Sequence, residues 1–208
     1  MEVSYFEDAF LLKSVLGRDA LRQDDPDDGH VERVRLYCIR KAYDDMMSAG
    51  RYYQIKDKAK KCEVVLDCFE KHFKEHEYCF SQRLIQDVAE HVFSEACIGA
   101  QSSQIAFGLA QKIVNMTFKY FYCFRDFIGW NIDFETCDCP IDRNVLDQMV
   151  KDDLLDKKER NAYTWSKLSP AQYIDLQEKI NEAGLTAEET EGVKDCSKRL
   201  LYDFVRAW

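Results

Sequence analysis

The sequence predicts an all-α fold, a compact single-domain helical bundle of about seven or eight helices. Apolar residues recur at helical spacing through most of the chain, and Ser, Thr or Asp residues precede several of these periodic segments as N-caps. Only eight Gly and three Pro are present among 208 residues, which leaves little material for the many turns of an all-β fold. A hydrophobic content of 46% is sufficient for one core, so the length and composition predict one domain.

The charge distribution divides this domain from an acidic N-terminal segment. Residues 1–30 carry eight acidic and three basic side chains, and the net charge of the whole chain is −9. We expect this acidic segment at 1–30 and an all-helical domain at 31–208. No run of about 18 uncharged apolar residues is present, and acids occupy the positions where a signal peptide needs positive charge. The sequence therefore predicts no membrane partner and a cytoplasmic location, with the nine cysteines as reduced thiols.

The helices can be assigned in chain order from periodicity and end signals. Gly50 is a natural C-cap for a first helix, Ser81 can cap a third one, and Ser169-Pro170 is a cap followed by proline at the first helical position. Thr186 and Glu189 form a capping box for the last helix. The predicted helices cover about 31–49, 52–76, 81–100, a central helix from about 106, one restarting at about 141, 170–184 and 187–205.

The central stretch, residues 106–121, is the most apolar long segment and predicts a helix buried on nearly all sides. We expect a glycine turn at Gly108 to open it, which places Lys112 in its first turn. Lys112, Asn115 and Lys119 are spaced i, i+3 and i+7 and form one line along the helix. Burial and the positive end of the helix dipole both disfavour a charged ammonium, and a neutral lysine amine is a nucleophile.

A second segment, Cys139-Pro140-Ile141-Asp142, precedes the next helix and places a carboxylate at its start. Together with the stretch from Phe107 to Lys112, it resembles the helix-hairpin-helix DNA glycosylase superfamily, most closely its 8-oxoguanine DNA glycosylase branch. That branch carries a Pro-Gly-Val-Gly-x-Lys hairpin, a buried helix and a Val-Pro-Val-Asp turn. Gly108 matches the first hairpin glycine, Lys112 the catalytic lysine, and Asp142 the catalytic aspartate. The resemblance covers residues 99–150.

The resemblance implies a DNA glycosylase that excises a damaged or modified base from duplex DNA, with Schiff-base AP-lyase activity. Lys112 would attack the sugar carbon and Asp142 would stabilise positive charge on the sugar. A flipped base needs aromatic walls, for which Trp130, Phe134 and Trp165 are candidates. The expected substrate- or phosphate-binding residues are Gly108, Gln111, Asn115, Lys119 and Trp165. No cofactor and no metal are expected.

Other interpretations of the same residues remain open. Singly, Asp142 is a helix N-cap, Lys112 an exposed first-turn lysine, and Trp165 a hydrophobic staple. The acidic charge, Ala110 in place of the second hairpin glycine, and the lack of further motifs favour a catalytically silent helical interaction or regulatory module with a protein partner.

Three further clusters contain residue types that can bind a ligand or a metal. The window 51–61 interleaves five bases with tyrosines and suits either phosphate tracking or a solvated helix start. Two histidines at i and i+4 can share a metal, and the candidate helix set is Cys68, His72, His76 and Cys79. One straight helix cannot wrap all four around an ion, because i and i+11 lie about 16 Å apart along the axis. A second set, Cys123, Cys137 and Cys139, lacks the two-residue spacing of a zinc knuckle.

Overall fold

The computed structural model describes residues 29–49, 57–93, 102–191, 193 and 195–207. The predicted acidic segment falls almost entirely outside these residues, as do most of the basic window 51–61 and the end of the third predicted helix. Within the described part, the fold is all-α, which confirms the predicted class. One isolated bridge, between Cys79 and Asp133, is the only β-type pairing there.

Nine α-helices occur in the described residues. They are α1 (Gly29–Ala49), α2 (Lys58–His76), α3 (Gln82–Val88, continued by a π-helical turn at Ala89–Phe93), α4 (Ser102–Cys123), α5 (Arg143–Lys151), α6 (Lys157–Ala162), α7 (Pro170–Glu182), α8 (Ala187–Thr190) and α9 (Lys198–Arg206). Short 3₁₀ turns lie at Arg125–Phe127, Phe134–Thr136 and Trp165–Lys167. None of the described helices is long and apolar enough to cross a membrane.

Side-chain caps start the helices of the C-terminal half. Ser169 and Thr186 form the predicted caps, each in a reciprocal capping box, with Gln172 and Glu189 respectively. The predicted last helix is wrong in its continuity, because α8 ends after Thr190 and a new helix, capped by Ser197, begins at Lys198. The cause is local backbone geometry, since Glu191 is extended and Asp195 has a φ of 53°. The range 187–205, predicted as one helix, is therefore divided between the two helices α8 and α9.

Helix α4 is the centre of the bundle. All side chains from Ala106 to Lys119 are buried, as the predicted apolar stretch requires. Helix α4 packs along α1 on one side and against α3 and the Trp165–Lys167 turn elsewhere. Because the helix is covered on all sides, each polar side chain on it must find a partner inside the protein.

The chain between α4 and α5 is irregular, as the loss of helical period at 126–140 predicted. Two 3₁₀ turns are followed by a segment without regular structure, residues 137–142, which leads into α5. Every residue from Cys137 to Ile141 in this segment is buried. The segment lies against α4 and α7 and ends at Asp142, the N-cap of α5.

Candidate active site

Lys112 and Asp142 lie together in the structure, although they are 30 residues apart in the chain. The Lys112 Nζ atom donates to Asp142 Oδ2 at 2.7 Å. The Lys112 side chain is 4% exposed and that of Asp142 is 18% exposed, so the pair is mostly shielded from solvent. Both residues line one open pocket of about 630 Å³. A basic and an acidic group therefore meet at a surface that a ligand can reach.

Helix α5 fixes the orientation of the Asp142 carboxylate. As the N-cap, Asp142 accepts a hydrogen bond from the Val145 backbone N–H at Oδ1, at 2.9 Å. Its other oxygen, Oδ2, accepts from Lys112. The capping role predicted as the alternative for Asp142 and the contact with the lysine thus coexist in one side chain, because a carboxylate has two acceptor oxygens.

Two buried glutamines hold the chain that leads to Asp142. Gln111 donates to the Ile141 carbonyl at 2.7 Å and accepts from the Ile141 N–H at 3.1 Å. Gln177 donates to the Cys139 carbonyl at 2.6 Å and accepts from the Cys139 N–H at 3.0 Å. These four bonds satisfy the backbone on both sides of Pro140, which has no N–H of its own. The predicted ligand-binding residue Gln111 is therefore a positioning residue in this structure.

Asn115 and Lys119 also engage protein groups rather than the pocket. Asn115 donates to the Tyr173 hydroxyl at 2.7 Å, and that hydroxyl donates to Asp138 at 2.8 Å. Lys119 forms an ion pair with Asp203 of α9, in which both side chains are buried. The predicted line of Lys112, Asn115 and Lys119 exists along one face of α4, but only Lys112 reaches the pocket.

Asp203 brings a second carboxylate to the site from the C-terminal helix. Burial raises the pKa of this carboxyl above its ordinary value, while the ammonium groups of Lys119 and Lys112 counter part of that rise. Unlike Lys119, Asp203 also lines the pocket. Its charge therefore contributes to the field in which Lys112 is held.

Burial also excludes a thiolate nucleophile next to this site. It raises the pKa of the Cys139 thiol well above its ordinary value, and this side chain has no exposed surface. Cys139 therefore stays protonated at neutral pH.

The remaining walls of the pocket come from several helices. Met116 and Tyr120 follow Lys112 at successive turns of α4, and the Tyr120 hydroxyl donates to Asp45 of α1 at 2.5 Å. The sequence did not predict Met116, Tyr120 or Asp45 as pocket residues, because only their spacing along a helix distinguished them. The full lining is Lys41, Asp45, Lys112, Met116, Tyr120, Asp142, Arg143, Asn144, Trp165, Asp203 and Ala207.

The glycine turn predicted at Gly108 is wrong, because α4 already begins at Ser102 and Gly108 lies inside it. Lys112 is consequently in the middle of the helix, and the expected effect of the helix N-terminus on its charge does not apply. Nor do free backbone N–H groups surround Gly108, so it is not a phosphate cradle. A glycine in this sequence is compatible with either a turn or a close packing contact, and the structure has the contact.

The contact at Gly108 is with the main chain that carries Trp165. A β-carbon at Gly108 would lie 2.5 Å from the Ser166 carbonyl carbon and 2.8 Å from the Trp165 oxygen. The missing side chain lets the 3₁₀ turn at Trp165–Lys167 approach α4, and Trp165 lines the pocket there. Of the three predicted aromatic walls, Trp165 alone has this position, because Trp130 packs against Phe73 and its ring carries Arg35 at 3.8 Å, and Phe134 packs against Tyr122.

The described residues contain no group of three or more His, Cys, Asp or Glu side chains that could hold a metal ion. In the helix set weighed above, the rings of His72 and His76 lie against each other with centroids 4.4 Å apart. His72 is 2% exposed and its Nε2 contacts the Cys79 carbonyl at 3.1 Å. The environment of His72 is thus that of a packed core histidine.

Comparison with protein-family models, with curated proteins and with solved structures gives no match to this chain. The fold and the site together define an all-helical protein with a lysine–aspartate pair in an open, mostly polar pocket. What this pocket does has to be argued from its own geometry.

Proposed function

We propose that this protein is a DNA glycosylase-like enzyme that excises a damaged or modified base, with Schiff-base AP-lyase activity. Lys112 is the nucleophile and Asp142 the carboxylate that assists it. The single observation that carries the proposal is the 2.7 Å contact between these two side chains in a pocket open to a ligand. The motif resemblance at residues 99–150 supports the same pair through Lys112 and Asp142 alone, because Gly108 lies inside α4 and does not form the hairpin of the motif.

The proposed reaction uses each group of the pair once. The Lys112 ammonium first gives a proton to its nearest acceptor, Asp142, and the free amine then bonds to C1′ of the deoxyribose. The glycosidic C–N bond breaks, and its electron pair leaves with the base, which takes up the proton from Asp142. The carboxylate so restored lies beside the positive charge on the sugar. Opening of the sugar ring then gives the Schiff base, from which strand cleavage can follow.

The pocket has the dimensions and the wall that this reaction requires. A volume of about 630 Å³ is within the range of small-ligand sites, roughly 300–1,000 Å³. Trp165 offers an aromatic face on which an extruded base can stack, worth about 1–3 kcal/mol per base in single-strand binding. Tyr120 and Asp45, which are hydrogen-bonded to each other, also line the pocket and bring polar atoms to it for the edge of a base.

A catalytically silent interaction module is the second candidate. It is favoured by the position of Gly108 inside α4, which removes the expected duplex-binding hairpin, and by the net charge of −9. In this case the Lys112–Asp142 pair would serve only to fasten α4 to the start of α5. The two candidates differ in whether the amine of Lys112 ever bonds to a sugar.

Borohydride trapping separates these candidates. The protein is incubated with duplexes that contain single damaged bases or an abasic site, in the presence of borohydride, which reduces a Schiff base to a stable amine. We expect a covalent protein–DNA adduct with the wild type and none with K112Q. The matched control is K74Q, the same substitution at an exposed lysine of α2.

Asp142→Asn tests the second member of the pair. Asparagine keeps an acceptor for the Val145 N–H but carries no negative charge. We expect D142N to fold like the wild type, as judged by circular dichroism and thermal melting, and to form adduct at least 100-fold more slowly, typical for loss of one charged catalytic group. An adduct that persists in K112Q, or no adduct with any duplex, would reject the enzyme and leave the interaction module.

A further inference from the structure

Two cationic side chains, Lys41 and Arg143, line the pocket in addition to Lys112. Of the acidic lining residues, Asp142 is paired with Lys112 and Asp203 with the buried Lys119. The third, Asp45, accepts a hydrogen bond from the Tyr120 hydroxyl. Lys41 has no ion pair within the described residues, so its charge is available to a ligand.

Arg143 is similarly available. Its side chain is 80% exposed, and its one described carboxylate neighbour is Asp147, at 3.5 Å. Asp147 is held more closely by Arg160, at 2.7 Å. An exposed i,i+4 pair of this kind is worth only about 0.3–0.5 kcal/mol, so a ligand can take Arg143 from it easily.

The net charge of the pocket lining therefore differs from that of the whole chain. The lining holds three cationic and three acidic side chains, namely Lys41, Lys112, Arg143, Asp45, Asp142 and Asp203. The chain as a whole has a net charge of −9. A pocket whose charges balance, in a protein of net negative charge, repels an anion less than the general surface does.

We propose that Lys41 and Arg143 bind the phosphate of the nucleotide whose base enters the pocket. This inference rests on the proposed function, because it assigns the strand phosphate to the same site. The two cations would also take the place of the phosphate-binding turn that was predicted at Gly108, where the structure has a continuous helix. Lys41 lies on α1 and Arg143 directly follows Asp142 at the start of α5, so the two cations come to the pocket from different helices.

Binding to DNA that cannot react measures this site separately from catalysis. The probe is a short fluorescent duplex with one tetrahydrofuran abasic-site analogue, whose sugar has no leaving group and forms no Schiff base. Affinity is measured by anisotropy over a range of salt concentrations. We expect the double variant K41Q/R143Q to bind roughly tenfold more weakly at low salt, and its log–log salt slope to be less steep by about 0.9, the value for one lost phosphate contact.

The control is K74Q/K158Q, which removes two exposed lysines that do not line the pocket. It should leave both affinity and salt slope close to those of the wild type. Equal losses in the two double variants would mean diffuse attraction, and an unchanged slope in K41Q/R143Q would mean no phosphate contact; either result overturns the inference. So would a wild type that does not bind the duplex at low salt.

Two further arms identify the source of the phosphate and separate the two proposals. Competition by a free deoxynucleoside monophosphate would assign the site to single nucleotides, and competition by oligonucleotide alone would assign it to a strand; the two cations act in both cases. If K112Q binds the analogue normally and no borohydride adduct forms with wild type, the glycosylase proposal fails while the phosphate site stands. If the adduct forms but the salt slope of K41Q/R143Q equals that of the wild type, the phosphate-site proposal fails while the glycosylase proposal stands.

Discussion

Gly108 has only a hydrogen where other residues have a side chain, and the main chain of residues 165–166 fills that space. The positions of a β-carbon at Gly108 and of the Ser166 carbonyl carbon would be 2.5 Å apart. Both obstructing groups are backbone, which cannot rotate away as a flexible side chain does. At the scale of one residue, the pocket wall that carries Trp165 is therefore placed by the absence of an atom group.

Substitution of Gly108 by Ala should consequently destabilise the protein. The added methyl group has to displace the Trp165–Lys167 turn, and overpacking of this kind costs about 1–3 kcal/mol. Urea unfolding measures the change. The control is G184A, because nothing lies within 4 Å of a β-carbon at Gly184, and exposed substitutions stay within about 0.5 kcal/mol. Equal stability of G108A and G184A would show that the turn moves without cost.

The sequence was informative at this scale for some residues and not for others. Lys112 and Asp142 could be selected only jointly, through the motif resemblance at residues 99–150, because each of them taken singly suits a structural role. Gly108 could not be interpreted, since its role depends on a turn more than 50 residues away. Asp45 and Tyr120 gave no signal alone, because their contact joins α1 to α4.

The segment 137–142 has no regular structure, and its backbone is hydrogen-bonded instead by side chains of neighbouring helices. Its backbone polar groups cannot pair within the segment, and burial without partners would cost about 1–3 kcal/mol for each. Gln111 and Gln177 provide these partners in reciprocal pairs, at Ile141 and Cys139. The position of Asp142 thus depends on two amides that belong to α4 and α7.

Gln111→Met tests this dependence. Methionine fills a similar volume but leaves the Ile141 N–H and carbonyl without partners, so we expect a loss of about 2–4 kcal/mol in the free energy of unfolding. Because Lys112 is untouched, any accompanying loss of borohydride adduct reports the displacement of Asp142. The matched variant is Q86M, at an exposed position of α3, which should change neither quantity. A Q111M variant as stable as the wild type would show that the hydrogen bonds between Gln111 and Ile141 do not hold the segment.

At the same scale, sequence patterns predicted the side-chain caps of helices better than the contacts between distant elements. Ser169, Thr186 and Asp142 cap helices as expected, because a cap is a local interaction over three residues. The break between α8 and α9 was not predicted, because the apolar stripe continues across it. The glutamine clamps join residues 30 and 38 positions apart, and no local pattern marks them.

The C-terminal helix α9 ties distant parts of the whole molecule together by ion pairs. Asp203 is paired with Lys119 of α4, and Arg199 with Asp138 at 2.9 Å. Arg206 reaches both Asp152, at 3.1 Å, and Glu189, at 2.6 Å. The all-α class was predictable from periodicity, but these pairings were not, because they link segments whose order in space is set by the complete bundle.

Asp203→Asn should be the most damaging single change among these pairs. It removes the negative charge that Asp203 places against the buried Lys119 ammonium, and breaking one side of a buried ion pair costs about 3–5 kcal/mol. The double variant K119M/D203L removes both charges together, and we expect it to recover most of the lost stability. Urea unfolding midpoints of the single and double variants are compared with the wild type. If the double variant is no more stable than D203N, the cost lies in packing rather than in charge.

The two oxygens of Asp142 have different partners, Lys112 and the Val145 N–H, and this has a consequence for the effect of mutations. An aspartate codon becomes an asparagine codon by a single G-to-A transition, and asparagine still accepts the Val145 N–H. If the proposed function holds, a copy of this gene would lose its catalytic activity in one mutational event and keep its fold. Natural relatives with asparagine at this position would then be expected to persist as stable, inactive proteins.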